Sequence, residues 1–270
     1  MIAPIRATPS DGIQVRESRR QFFRLGLAIA SGILLRPSAP VQCGSLPMTP
    51  RVSPCPGVER CTANAAGTRE AGALGERIGT EAEHIVHTLH HTHYQHNELV
   101  DPATGTYDVD CSGFVGYVLK RIAPQQFGAI PKENGWAIPR AFKYEEFFRS
   151  ISGHAENGWR AVSELSQVRR GDIVAWALPL NLGKDEDTGH VFVVAAAPAK
   201  LEEGLLAVRV CDSSTVPHYD DSRAQGGAFH TGVGTGTIHL KIDASGKPLS
   251  FQFGPGDKFH AVPIAMGRAT

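Results

Sequence analysis

The chain has 270 residues, enough for one domain of about 150 to 200 residues with extensions, and its hydrophobic content of 41% can supply a proper core. Lys plus Arg and Asp plus Glu number 27 each, so no global field recruits nucleic acid or an anionic membrane surface. The five cysteines, at 43, 55, 61, 111 and 211, show no C-x-x-C spacing, which argues against metal knuckles.

In chain order, Ser18-Arg19-Arg20-Gln21-Phe22-Phe23-Arg24 precedes an apolar run from Leu25 to Leu35. The block resembles a twin-arginine export signal, and an eleven-residue run is too short to span a bilayer. Residues 1–36 are therefore read as a signal segment, which implies a periplasmic or extracellular destination. Residues 37–72, rich in Pro, Ser, Gly, Thr and Ala, read as a flexible linker, and 73–268 as one catalytic domain.

Ala73 to Leu99 is expected to be helical, with Leu74, Ile78, Ile85 and Leu89 on its apolar side. It carries His84, His87, His90, His91, His93 and His96. The His87/His91 pair has metal-chelating spacing but lacks the intervening acid of zinc hydrolases, so the histidines are assigned to a polar face and no metal site is expected. Residues 101–109 form a turn-rich approach to the central block, Asp110-Cys111-Ser112-Gly113-Phe114-Val115. Phe114, Val115, Val118 and Leu119 fall at helical spacing, which puts Cys111 in the first turn of a helix with Asp110 as its N-cap. A helix start favours thiolate and can stabilise an oxyanion, and Gly113 would let a substrate approach the sulfur. Pro124 to Pro139 reads as a loop. Arg140 to Ile151 reads as a helix forming one wall of a cleft, with Trp136, Arg140 and Tyr144 available to substrate or to packing.

From Gly171 the period changes to that of strands: 172–178, 190–196, 205–211, 235–242, 249–253 and 261–265. Helices first and strands afterwards point to an α+β domain in which the nucleophile helix packs on an antiparallel sheet. A cysteine nucleophile needs a base, and the base needs a polar group to fix its tautomer. His190 opens an apolar strand after Thr188-Gly189 and is the base candidate, ahead of His218, His239 and His260. Asp212, ending the next strand, is the candidate orienting group, with His218 as the alternative and a turn-capping role as the bland reading. Cys211 alternates to the opposite face and belongs to the core. Asp220 and Arg223 are expected to brace the 218–223 loop, and Gly232-Val233-Gly234-Thr235-Gly236 to turn the chain before a strand, since no Lys-Ser/Thr follows to make a phosphate loop.

Asp110-Cys111-Ser112-Gly113-Phe114-Val115, Arg170-Gly171-Asp172-Ile173-Val174-Ala175-Trp176 and Thr188-Gly189-His190-Val191-Phe192-Val193-Val194 together resemble the three ordered signature blocks of the NlpC/P60 cysteine peptidases. The resemblance covers roughly residues 90 to 215 and implies a papain-like fold, Cys111 as nucleophile with His190 as base, and a peptidoglycan or muropeptide substrate; Asp212 as the third residue comes from the strand reading, since many members of that family carry histidine, asparagine or glutamine there. It also implies that an upstream tyrosine, Tyr94 with Tyr107 as its competitor, joins Cys111 in stabilising the oxyanion. Asp110, Ser112 and Arg140 are assigned to substrate binding. No cofactor, no nucleic-acid partner, no stable membrane span and a monomeric state are expected. Two other readings compete: a related acyltransferase or amidase acting on another substrate, and a catalytically idle cell-wall binding domain.

Overall fold

The computed structural model describes residues 59–179, 187–225 and 228–270, with side chains from residue 72 onward, Gln225 excepted. The signal-like segment and the linker up to residue 58 lie outside the described residues. Helix α1 spans Glu59–Thr88, so residues 59–72 belong to a helix rather than to the expected linker. Ile78 and Ile85 are fully buried as the apolar spacing predicts, but α1 ends eleven residues earlier than expected. Three short strands follow, β1 (His91–His93), β2 (Leu99–Asp101) and β3 (Thr106–Asp108), with β3 central, parallel to β1 and antiparallel to β2. The His87/His91 pair is thereby split between α1 and β1, and His91 faces Asp108 at 3.4 Å.

Helix α2 covers Cys111–Ile122, and α3, Pro124–Ala129, lies inside the stretch expected to be loop. Helix α4 covers Ala141–Ser150 and buries Phe142, Tyr144, Phe147 and Phe148. The remaining strands are β4 (Trp159–Ala161), β5 (Ile173–Ala177), β6 (Gly189–Val194), β7 (Ala199–Glu202), β8 (Leu205–Ser214), β9 (Ala224–Gln225), β10 (Ala228–Phe229), β11 (Gly232–Ile242), β12 (Pro248–Gln252), β13 (His260–Ala261) and β14 (Ile264–Ala269). Strands β9 and β10 form a two-stranded pair. The others build a nine-stranded antiparallel sheet in the order β13-β12-β11-β8-β6-β5-β14-β4, with β7 on β8.

The papain-like α+β expectation is overturned by this architecture, which is mostly antiparallel sheet. Strands β1 to β3 come between α1 and α2, so the helices are not all gathered ahead of the strands. About a third of the buried core also has no α-helix in it. Along β5, Ile173 and Ala175 join the cluster beneath the helices, whereas Val174 and Trp176 join a second cluster with Phe192, Val208, Val210, Ile238, Leu240 and Phe251, to which no α-helix contributes. Both faces of β5 and β6 are dry, which explains why these strands read as unbroken apolar runs. Polar segments such as His91-Thr92-His93 and Trp159-Arg160-Ala161 pair as strands through tertiary context that local propensity does not encode.

The second signature block is structural here. Arg170 donates to Glu76 at 2.6 Å and to Glu83 at 2.7 Å, fastening α1. Gly171 has φ +83°, and a Cβ there would lie 1.8 Å from the Gly75 carbonyl. Asp172 takes a two-pronged ion pair from Arg268 of β14 at 2.7 and 2.8 Å.

Candidate active site

Asp110 caps α2 as the sequence predicts. Its Oδ1 accepts from the Gly113 N–H at 2.7 Å and from the Ser112 hydroxyl at 2.9 Å, while Oδ2 meets His96 Nδ1 at 2.9 Å. Cys111 therefore heads a well-capped helix. It is 4% exposed and lines a cavity of about 160 Å³ with Tyr94, Asp110, Trp136, Arg140, Asp187 and Thr215. The carboxylate of Asp110 and the hydroxyl of Ser112 are committed to each other and to the cap, so these two residues wall the cavity rather than offering free groups to a ligand. Arg140 also reaches the wall; its Nε and Nη2 donate to Glu133, its buried Nη1 has no hydrogen-bond partner, and its guanidinium lies over Trp136, 4.7 Å from the ring centre. Tyr144, in contrast, is wholly buried and takes no part in the wall. Gly113 makes room for Glu98 instead of a substrate, since a Cβ there would sit 2.8 Å from Glu98 Oε1.

The Val191 N–H and the Tyr94 hydroxyl both stand against the Cys111 sulfur, and the amide favours its thiolate. Tyr94 thus stands at the nucleophile. Tyr107 is paired edge-on with Tyr117 at 5.7 Å and is removed from this role. Burial raises the Cys111 thiol well above its ordinary value, and the charges of Asp110, Asp187 and Asp212 push the same way. Burial and these carboxylates therefore oppose the thiolate that the helix start favours.

His190 lies one residue before the Val191 N–H that touches the sulfur. Its cavity and that of Cys111 share Tyr94, Asp187, Gly189 and Thr215 as walls. The imidazole is boxed by Trp176, Phe192 and Phe253 at 5.2 to 6.0 Å between ring centres, and its Nε2 donates to Asp212 Oδ2 at 2.7 Å. That leaves Nδ1 as the nitrogen for proton exchange with the thiol; the thiol–imidazole hydrogen bond itself is not formed in this structure.

Asp212 is completely buried, which alone would raise its carboxyl, but His218 and Arg223 outweigh burial and hold it well below the usual carboxylate range. His218 Nε2 meets the same Oδ2 at 2.8 Å, and Arg223 Nη1 lies 3.0 Å from Oδ1. The orienting group and its proposed alternative are thus neighbours. Arg223 pairs with Asp221 and Asp212, not with Asp220 as the loop sequence suggests, and the cluster is buried rather than exposed.

The glycine-rich run is not a turn but part of β11. A Cβ at Gly234 would come within 2.7 Å of the Arg223 side chain, and one at Gly236 within 2.5 Å of His218. The alternation of glycines along this strand was a readable signal for side chains packed over one sheet face. Asp187 and Glu98 carried no such signal, because loop carboxylates are common.

His190, Asp212 and His218 are, among the described residues, the one trio whose ligating atoms lie within 4.8 Å of one another. Those atoms are engaged in mutual hydrogen bonds, and the Arg223 cation beside Asp212 disfavours a metal ion. Among the described residues no helix is long and apolar enough to cross a membrane. No protein-family model matches the chain. It is similar to an uncharacterized protein, R653, of Acanthamoeba polyphaga mimivirus, at 23% identity over 179 residues, covering 59% of this chain and 76% of that protein.

Proposed function

We propose that the chain is a cysteine hydrolase of peptide or amide bonds, working through an acyl-enzyme on Cys111 with His190 as base and Asp212 as the group that orients it. The observation that carries this reading is the 2.7 Å bond from His190 Nε2 to a buried, ionised Asp212, made by the residue next to the one whose N–H touches the Cys111 sulfur. On attack, the thiol proton passes to His190 Nδ1 as the sulfur adds to the substrate carbonyl. The oxyanion accepts hydrogen bonds from the Tyr94 hydroxyl and from the Cys111 N–H, which heads α2 and has no helical carbonyl to bond. His190 then protonates the leaving amine, and water, activated by the same imidazole, releases the acyl group.

The three signature-like blocks support stem peptides of peptidoglycan as the substrate class, and the twin-arginine-like segment supports export to where that polymer lies. Defined muropeptides incubated with the protein and weighed afterwards test both the bond and the acceptor. Products shortened by hydrolysis are expected. Unchanged muropeptides alongside turnover of a simple acyl donor with an amine acceptor would replace hydrolysis with acyl transfer.

A further inference from the structure

We propose that Arg223 is a positioning residue of this site: a fixed, buried cation that holds Asp212 as an oriented carboxylate and so presents His190 to Cys111 in one tautomer. The inference rests on the thiol-hydrolase reading above.

The guanidinium is held from two sides. Its Nε and Nη2 donate to the two oxygens of Asp221 at 2.8 and 3.0 Å, and Nη1 donates to the Gly232 carbonyl at 3.0 Å while lying 3.0 Å from Asp212 Oδ1. The side chain is only 2% exposed. Asp221 in turn accepts the backbone N–H groups of His218 and Arg223 at 2.8 and 2.9 Å, so the loop, the cation and the carboxylate are one construction. Gly234 clears the space that the Arg223 stem occupies. A brace confined to the loop would need only the Asp221 contact; here the cation reaches inward to the carboxylate that His190 uses.

Charge gives the clamp its chemistry. Two carboxylates and one guanidinium leave one net negative charge. His218 meets the same Asp212 oxygen as His190 through its Nε2. Proton transfer to His190 places a cation beside these carboxylates, so the field stabilises the imidazolium that forms during attack more than the resting imidazole. The other ionisable groups around His190 are Cys111 from α2, Tyr94 from the segment after β1 and Asp187 ahead of β6.

The test is the pH profile of kcat/KM together with kcat and KM in four variants. Arg223→Gln should lower kcat by at least about tenfold with KM within about twofold. It should also move the acid limb up by about one pH unit, because His190 then faces an uncompensated charge. Asp221→Asn removes a negative charge instead and should move the limb down. Arg223→Lys should return the limb to its wild-type place while recovering part of kcat. Gly234→Ala, which displaces Arg223 without changing any charge, should lower kcat and raise the limb.

Should Arg223→Gln fail to fold, Asp221→Asn and Gly234→Ala carry the same comparison. A merely structural role would lower stability and leave the limb in place. A folded Arg223→Gln with kcat within about twofold and an unmoved limb, or limbs moving in the same direction in Arg223→Gln and Asp221→Asn, overturns the proposal. Titration of His190 by NMR in the same variants needs no substrate. An inactive wild type would therefore sink the hydrolase reading and leave the direction of those shifts to decide the clamp.

Discussion

Tyr94→Phe removes one oxygen from the site and little else. The ring keeps its edge-on contact with His96 at 5.7 Å, and the backbone N–H keeps its bond to Thr231 at 3.3 Å. What disappears is the hydroxyl that stands against the Cys111 sulfur. Loss of one hydrogen bond costs the folded state about 0.5 to 1.5 kcal/mol, too little to unfold a domain of this size. If the hydroxyl turns to the oxyanion during attack, its loss costs the transition state about 2.7 to 4 kcal/mol, a fall of roughly 10² to 10³ in kcat. Burial holds the phenol well above its ordinary value, so it remains a donor throughout the working pH range and the loss should not vary with pH. Stopped-flow acylation of Cys111 by an activated peptide ester measures the step directly. Tyr107→Phe, which alters only the pairing with Tyr117, serves as the control. A Tyr94→Phe rate within about twofold of wild type would show that the hydroxyl serves the resting thiol and not the transition state.

Alkylation of Cys111 by iodoacetamide should keep rising past about pH 9 without a plateau, since burial and three carboxylates oppose the thiolate; a plateau near neutral pH would restore the ion-pair reading. Gly171→Ala should cost at least about 2 to 3 kcal/mol in urea unfolding, because φ is +83° and the new methyl meets the Gly75 carbonyl; an unchanged midpoint would contradict the seating of α1. Asp212 is depressed in the folded chain, so its contribution to stability is complete above about pH 4 and is lost as pH falls through the lower folded value. Acid unfolding of Asp212→Asn should accordingly be less steep below about pH 4 than that of wild type, and parallel curves would refute the assignment.

Much of the site was legible because it is local. The cap at Asp110, the thiol at the head of α2 and His190 at the mouth of an apolar strand all follow from spacing within a dozen residues. The bond from His190 to Asp212 required only that consecutive long strands be neighbours, as β6 and β8 are. The fold was less legible, because about a third of the core is built with no α-helix, mostly by sheet residues meeting one another, and because β14 enters between β5 and β4 from the far end of the chain. Arg223 was assigned to Asp220, one residue from its true loop partner, since spacing along a loop does not say which carboxylate turns inward. Substrate contacts were hardest to read: Asp110, Ser112 and Arg140 do border the cavity, yet Asp110 and Ser112 are bound up in the cap and Arg140 gives two of its three nitrogens to Glu133.

The most direct test of the account is intact-mass spectrometry of the protein quenched during turnover of an acyl donor, with peptide mapping of the adduct. The account predicts one acyl group on Cys111, absent in Cys111→Ser and formed far more slowly in His190→Ala, with Cys211 unmodified. An adduct on any other residue, or acylation of Cys111 at the same rate without His190, would contradict it.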